Sequence, residues 1–419
     1  EEGRQFNVKG ITVKEGESIS IDGTSGEVML GEIETKPPEI IQVIRGNIRP
    51  EDSEIYQYFV KFLGWADAVR RMNVRANADT PEDAKIAFAF GAEGIGLART
   101  EHMFFEKERL PFIKNMILSE TEKDRRMYLD KLLPFQRQDF YDLFKAMGGN
   151  PVTIRTLDPP LHEFLPKKED LMLEIAELKH SGKASSEKVK EKEKLLERVK
   201  ALSEFNPMLG HRGCRIGVTF PEIIEMQTSA IFEAACQLSS EGEDVFPEIM
   251  VPLIGSVNEL ADQKKIIIDV AEKLIKKYNV KFDYTVGTMI EIPRAAITAD
   301  EVAKEAEFFS FGTNDLTQTT FGISRDDGAS FINQYLAKGI WKDDPFTSVD
   351  IEGVGELMRW AVDKGRAVRP DLKVGICGVH GGDPRSIFFC HKIGLNYVSC
   401  SPFRVPVARL AAAHAALGK

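Results

Sequence analysis

The chain has 419 residues, with 55 Lys and Arg against 65 Asp and Glu and a net charge of −10. That balance argues against general binding to nucleic acid or to anionic membranes, while leaving room for a local basic pocket that takes a small anion. A hydrophobic share of 43% is enough for a large core, yet no run of about 18 apolar residues marks a membrane span and no signal-peptide pattern stands at the start.

Residues 7–31 read as β-structure: "SISIDGTSGEVML" alternates Ile19 and Ile21 with polar neighbours, turns at Gly23 to Gly26 and returns through Val28 and Leu30. So small a hairpin does not fold alone, which suggests the tail of an upstream domain. "ETKPPEIIQ" reads as a Pro-interrupted linker, and residues 51–71 have helical apolar spacing through Ile55, Phe59, Phe62, Leu63, Ala66 and Val69.

From residue 72 short apolar strands alternate with amphipathic helices. The pattern predicts strands at 72–78, 95–99, 151–157, 246–254, 283–292, 307–313, 373–377 and 396–400. Helices are predicted at 81–90, 125–147, 257–277, 293–304, 350–368, 384–393 and 405–416. Eight strand–helix units imply parallel strands with right-handed crossovers, hence an α/β fold of the (β/α)₈ barrel type; an open doubly wound sheet is the alternative. Residues 167–204 break the rhythm. They are charged and helical with Gly182 as a turn, a helical hairpin inserted within about 160–206 and expected to be solvated.

Reactive side chains of such a barrel come from the C-terminal ends of its strands. "GIGLARTEH" places Arg99 there, "VTIRTLD" Arg155, "TVGTMIEIPR" Glu291, "FFSFGTNDLTQ" Asn314 and Asp315, and "GICGVHGGD" Cys377. Two Arg forks grip phosphate or carboxylate bidentately. Two carboxylates with room for water suit Mg²⁺, and a metal beside a small oxyanion stabilises an enolate. A thiol of suitable pKa can exchange a proton with the enolate carbon. The competing reading makes Arg99 and Arg155 structural ion-pair partners of Glu291 and Asp315, but assembling buried pairs is costly. Arg212 lies in the Gly-rich loop "NPMLGHRGCR", which leads into a helix expected to open on the same rim; His102, His162, His211 and His380 are weaker candidates. Five scattered cysteines without a CxxC pair suit free thiols in a reducing compartment, and Cys377-x-x-His380 lacks a second pair to complete a zinc site. Cys214, Cys236, Cys390 and Cys400 are expected to pack as small apolar residues, and Met289 and Phe311 to line a core or pocket wall.

Six motifs in order, "GIGLARTEHMFF", "RTLDPPLHEFLP", "NPMLGHRGCR", "MIEIPRA", "FFSFGTNDLTQ" and "GICGVHGGDP", resemble the C-terminal domain of the PEP-utilising enzymes, from about residue 7 to the end. The resemblance implies a (β/α)₈ barrel over 72–419, a linker and linker helix over 34–71, and over 1–33 the remnant of a swivelling phosphohistidine domain. It implies that Glu291 and Asp315 hold Mg²⁺ and that Arg99 and Arg155 bind the phosphoryl group. Gly312, Thr313, Asn314 and Asp315 would contact substrate, Arg212 would support the site, and Cys377 would be the acid/base at the methyl carbon.

The implied reaction is Mg²⁺-dependent phosphoryl transfer between a phosphohistidine on another domain and pyruvate enolate, interconverting pyruvate and PEP, in a homodimer joined through the barrel. "LDPPLHEFLP", the charged insertion and the ending "RVPVARLAAAHAAL" favour the branch that combines ATP, phosphate and pyruvate. The alternatives are the branch that uses ATP and water, an enzyme I-type PEP–protein phosphotransferase, and a silent dimerisation module. Two features depart from the family pattern. Val379 stands where the family has Glu after Cys-Gly, and none of the seven histidines follows a Thr-Ser pair as the phosphorylated one does. The compartment is expected to be the cytoplasm or an organelle such as a chloroplast or glycosome.

Overall fold

The computed structural model describes residues 4–8, 10–22, 26–181 and 186–418, and the chain divides into two units, residues 1–61 and 62–419. The predicted turns at Gly23 and Gly182 and the side chain of His162 lie outside the described residues.

The first unit holds two antiparallel ribbons, β1 (Gln5–Val8) with β2 (Ile11–Lys14) and β3 (Ile19–Ile21) with β4 (Val28–Leu30). Two-stranded ribbons cannot cover both of their own faces, and Phe6, Val8, Ile11, Ile21, Val28 and Leu30 are exposed. The expected linker contains a short helix, α1 (Glu39–Ile44), which begins directly after Pro37 and Pro38. Proline before the first turn restricts the chain without removing a helical hydrogen bond, so the pair introduces the helix instead of preventing it. Helix α2 (Glu54–Val69) fulfils the helical spacing read over 51–71.

The second unit is built on eight parallel strands: β5 (Asn73–Asn77), β6 (Ile95–Arg99), β7 (Pro151–Arg155), β8 (Phe246–Val251), β9 (Thr285–Ile290), β10 (Phe308–Phe311), β11 (Lys373–Ile376) and β12 (Tyr397–Cys400). Each pairs with its sequence neighbour, and β12 returns to β5 through Tyr397–Asn73 and Cys400–Ala76, closing the barrel. The doubly wound alternative is thereby excluded. The strands are short and covered on both faces, which is why they read as apolar runs; all four residues of β10 are buried.

Around them run α3 (Pro81–Ala89), α4 (Leu110–Leu118), α5 (Glu122–Met147), α6 (Lys168–Ser181), α7 (Ser186–Leu202), α8 (Cys214–Thr219), α9 (Pro221–Ser240), α10 (Val257–Tyr278), α11 (Pro293–Ile297), α12 (Ala299–Val302), α13 (Thr313–Phe321), α14 (Ala329–Ala337), α15 (Val354–Val368), α16 (Pro384–Lys392) and α17 (Val405–Leu417). Some helix starts carry side-chain caps: Thr80 accepts from the Asp83 amide, and Ser256 with Glu259 forms a capping box ahead of α10. The predicted helix over 293–304 is two short helices that meet at Thr298.

The inserted pair α6–α7 differs from a solvated hairpin. Lys179–Glu193 and Lys192–Glu174 tie the helices together on their outer side. Leu171 and Val199 are buried in one core with Phe104, Ile113, Leu129 and Phe164. The insertion is thus packed against the barrel's flank by an apolar face that its high charge content conceals.

Candidate functional site

The C-terminal ends of the strands converge on one rim, as the sequence suggested, and an ion-pair chain runs across it. Arg155, the last residue of β7, is buried and gives one fork nitrogen to Glu101 and the other to Asp158 Oδ2 at 2.9 Å. Asp158 Oδ2 also accepts from Arg212 at 2.6 Å, and the second Arg212 nitrogen lies 3.3 Å from Asp315 Oδ1. Arg99, the last residue of β6, faces Asp79: its backbone N–H donates to Oδ1 at 2.6 Å and its guanidinium lies 3.5 Å from Oδ2. The arginines therefore do not take Glu291 as partner, and the simple structural pairing considered above does not hold. Burial works against the charge of Asp158 most strongly, but Arg155 and Arg212 outweigh it and hold the carboxyl low.

Glu291 stands just past β9, almost fully buried, with Oε1 accepting from the Leu253 amide at 2.6 Å. Its Oε2 is buried and has no hydrogen-bond partner among the described residues. Burial raises its pKa well above the ordinary value, and the charges of Asp315 and Asp158 raise it further. A buried carboxylate oxygen without a donor, repelled by neighbouring carboxylates, is what a bound cation relieves. No cluster of three or more His, Cys, Asp or Glu with metal-ligating geometry occurs among the described residues, so the oxygen pair of Glu291 and Asp315 is the set to consider.

Glycines make this approach possible. A Cβ at Gly312 would sit 2.8 Å from Glu291 Oε2, and one at Gly213 would meet Leu253 Cβ at 2.7 Å on a backbone of φ +58°. Gly213 is what lets the loop after Arg212 lie against the turn beneath Glu291.

The segment Gly312–Asp315 opens α13. Thr313 is fully buried, Asn314 Oδ1 accepts from the Val379 amide at 3.3 Å, and Asp315 points toward Arg212. His380 is buried with both ring nitrogens engaged, Nε2 with the Pro345 carbonyl at 3.0 Å and Nδ1 with Thr313 Oγ1 at 2.8 Å. Nε2 must carry the proton to serve a carbonyl, which leaves Nδ1 to accept from Thr313 and fix its rotamer. Burial lowers the pKa of His380. Its lowered value means that the unfolded chain binds more protons than the folded one just below pH 6.5, so this contribution to stability is present above that pH and lost as pH falls through the folded value. A melting series from pH 7.5 to 5 is expected to fall more steeply for the wild type than for His380→Gln; equal slopes would show that the ring is not held neutral.

Cys377 follows β11 near the centre of the rim. Its amide donates to the Phe311 carbonyl at 3.1 Å, and its Sγ lies 3.6 Å from the same oxygen. Leu97, Met250, Met289 and Phe308 pack with it in an apolar cluster. Burial pushes the thiol up to about 11, while the Ser310 hydroxyl, Arg99 and Arg155 pull it the other way. The thiol is therefore protonated at neutral pH, with cations nearby that would receive the thiolate.

Several members of this site escaped the sequence reading. Asp79, Glu101 and Asp158 hold the arginines. Asn77 pins the end of β11, donating to the Cys377 carbonyl at 2.9 Å and accepting from Ser399 at 2.6 Å. Ser310 and Tyr397 present buried hydroxyls without a hydrogen-bond partner among the described residues. Glu101 and Asp158 were within the quoted motifs, each only two or three residues beyond an arginine. Two histidine candidates have other partners. His102 pairs with Asp79 at 2.7 Å, and His211 is bound to Thr219 at 2.7 Å. Val379 is half exposed at the rim. The remaining cysteines, Cys214, Cys236, Cys390 and Cys400, are buried and free, consistent with apolar packing. No helix among the described residues is long and apolar enough to cross a membrane.

The family model for the PEP-binding domain of PEP-utilising enzymes matches residues 53–417. The chain is 55% identical over 408 residues to pyruvate, phosphate dikinase of Rhizobium meliloti, covering 97% of this chain and 43% of that protein. It is 52% identical over 418 residues to pyruvate, phosphate dikinase of Clostridium symbiosum, with 100% and 45% covered. It is 55% identical over 405 residues to the chloroplastic pyruvate, phosphate dikinase 1 of Arabidopsis thaliana, with 96% and 40% covered. The chain thus spans less than half the length of these relatives.

Proposed function

Because the chain belongs to the PEP-utilising enzyme family, matching its PEP-binding domain, we propose that the barrel rim binds PEP and pyruvate and interconverts them within a pyruvate, phosphate dikinase. The full reaction turns ATP, phosphate and pyruvate into AMP, diphosphate and PEP. The observation that carries this reading is the meeting, on one rim, of the Arg155–Asp158–Arg212–Asp315 chain, the partnerless Glu291 oxygen and the buried Cys377 thiol.

Arg99 and Arg155 take the phosphoryl oxygens, and Arg212 holds Asp315 in place. The α13 start, Gly312 to Asp315, receives the substrate's carboxylate end. Glu291 and Asp315 would hold Mg²⁺ as hard oxygen donors, the Glu291 Oε2 being without a partner among the described residues, and the ion would offset negative charge on the enolate. In the direction of pyruvate, the phosphoryl group leaves PEP for a histidine nitrogen of another domain. The enolate carbon then takes the proton of Cys377, the C–H bond forming as the S–H bond breaks, and the thiolate left behind faces Arg99 and Arg155. The reverse direction returns the proton to sulfur.

The exposed apolar ribbons of residues 5–30 support reading them as part of a swivelling phosphohistidine domain. Exposed Phe88, Phe403 and Val407 offer a face on which a second copy would pack in a homodimer. Five free, buried cysteines suit a reducing compartment.

Calorimetric titration of PEP tests the reading, first with Mg²⁺ and then with EDTA. The binding that Arg155→Ala abolishes is expected with the metal and lost without it; if that binding were indifferent to EDTA, Glu291 and Asp315 would be removed as holders of the metal. Proton linkage adds a second test. Glu291's raised pKa means that its contribution to stability is full below about pH 4.5 and is lost as pH rises through the folded value. Mg²⁺ replaces the proton, so the rise in melting temperature on adding Mg²⁺ is expected to be larger at pH 8 than at pH 5.5. Glu291→Gln should abolish that difference.

A further inference from the structure

The opposite, N-terminal mouth of the barrel carries a second set of cations that the rim chemistry does not use. A cavity of about 440 Å³ opens there, lined by Arg71, Asn73, Arg75, Lys373, Asn396 and the ring of Tyr397, with no carboxylate among its lining residues. These residues precede or begin β5, β11 and β12, so the topology brings them together at one end of the barrel axis.

Below the cavity lies Glu248 of β8, fully buried; the next acid in the field of Arg75, Glu93, is paired with Arg70. Arg75 donates to its Oε2 at 2.6 Å and Lys373 to its Oε1 at 2.5 Å, while the Thr153 hydroxyl adds a third bond to Oε2 at 2.6 Å. Two cations on one carboxylate leave a positive charge without a counter-charge in this network. Arg75 itself is 3% exposed and stacks over the Tyr397 ring at 4.2 Å, yet its Nε has no hydrogen-bond partner among the described residues. Arg71 is exposed beside it and makes no ion pair among the described residues. Arg366 reaches the same edge and donates to Asn396 Oδ1 at 2.9 Å.

Lys373 is about a third exposed, so the surplus charge of the network stands on the cavity side, where an anion can meet it. The helices end at this face with their carbonyls, so the positive field comes from side chains alone and runs against the helix dipoles. We propose that this mouth is a binding site for a phosphate group, free or esterified, gripped by Arg71 and Lys373, with the Arg75 guanidinium buried beneath them. Arg forks and a Lys point charge are the donors such an anion takes, and the cavity admits a group of that size with a small substituent. The site is separate from the rim and does not depend on the function assigned to it.

Titration with inorganic phosphate, and in parallel with methyl phosphate, tests the proposal on the whole chain in EDTA. One binding event is expected to weaken at least roughly tenfold in Arg71→Ala and in Lys373→Met, the loss of one charge-assisted hydrogen bond. That event should survive in Arg99→Ala, which touches only the rim. Glu248→Gln is expected to tighten it by removing the competing carboxylate. Arg71 is exposed, so its replacement leaves the fold and the Mg²⁺-dependent PEP titration unchanged and keeps the test readable should Lys373→Met fold poorly. Methyl phosphate bound as well as phosphate would assign an ester ligand, and phosphate alone a free ion. Absence of any phosphate binding that Arg71→Ala weakens would overturn the site.

Discussion

Cys377→Ala is expected to end exchange of the pyruvate methyl protons while leaving PEP binding nearly intact. The expectation rests on placement and proton state together. The thiol is 1% exposed and lies at the end of β11 among Leu97, Met250, Met289 and Phe308, an apolar setting shielded from bulk water. Its pKa of about 11 keeps the proton on sulfur at neutral pH, ready for an enolate. A positioned acid or base contributes roughly 10²–10⁴-fold, and the loss in the variant should fall in that range. Removing one sulfur from this cluster costs about 1 kcal/mol of packing, too little to unfold the domain. The readout is the decay of the pyruvate methyl signal in deuterated water with Mg²⁺. Exchange is also expected to accelerate with rising pH up to the thiol's pKa, because removing a methyl proton requires the thiolate. Unchanged exchange in the alanine variant would take Cys377 out of the mechanism.

The barrel was legible because its strands are buried on both faces and its helices mostly are not. Where that contrast failed, so did the reading. Helix α9, "PEIIEMQTSAIFEAACQLSS", received no range, although a helix was expected after the loop of Arg212: 13 of its 20 residues are buried, so it shows no clear apolar stripe. Helix α13 went unread for the opposite reason, since "TNDLTQTTF" is polar nearly throughout and its start serves the rim. The site followed the same logic. Arg99, Arg155, Glu291 and Cys377 became candidates because each ends or directly follows a strand, where the fold dictates direction, whereas Asp315 lies four residues past β10, in the first turn of α13. Asp79, Glu101 and Asp158 lie two or three residues further on, in loops whose path no periodicity specifies, and they turn back toward the arginines. Asn77 was missed because the end of the first strand carries no charge, although its amide ties β5 to the strand that presents the thiol. The mouth cluster at Arg75 and Glu248 lies inside strands at 173 residues' separation, so only closure of the barrel unites it.

Arg155→Met is expected to abolish PEP binding and also to destabilise the domain by about 3–5 kcal/mol at neutral pH, the usual consequence of leaving a buried charge without its partner. Arg155 is fully enclosed and holds two carboxylates at once, Glu101 and Asp158, while Glu291 and Cys377 also lie within its field. Burial opposes its charge, yet those acids outweigh burial and raise its pKa, so the guanidinium is charged under all working conditions. Without it, Asp158 keeps only Arg212, and the carboxylates of the rim repel one another. Their pKa values should then rise, so the folded variant would bind protons that the unfolded chain does not. By linkage, its deficit relative to wild type should shrink as pH falls from 7 toward 5. Adding Asp158→Asn should recover part of the stability but none of the binding, because the recovered part is electrostatic while PEP needs the fork itself. Arg155→Lys separates the two roles: the charge remains, so stability should largely return, whereas the bidentate grip does not. Urea unfolding at pH 7 and pH 5, set beside PEP titration of the same proteins, measures both. A variant that lost binding without losing stability would show that the Glu101–Arg155–Asp158 pairing contributes little to the fold. Loss of stability with binding retained would place the phosphoryl group away from Arg155 altogether.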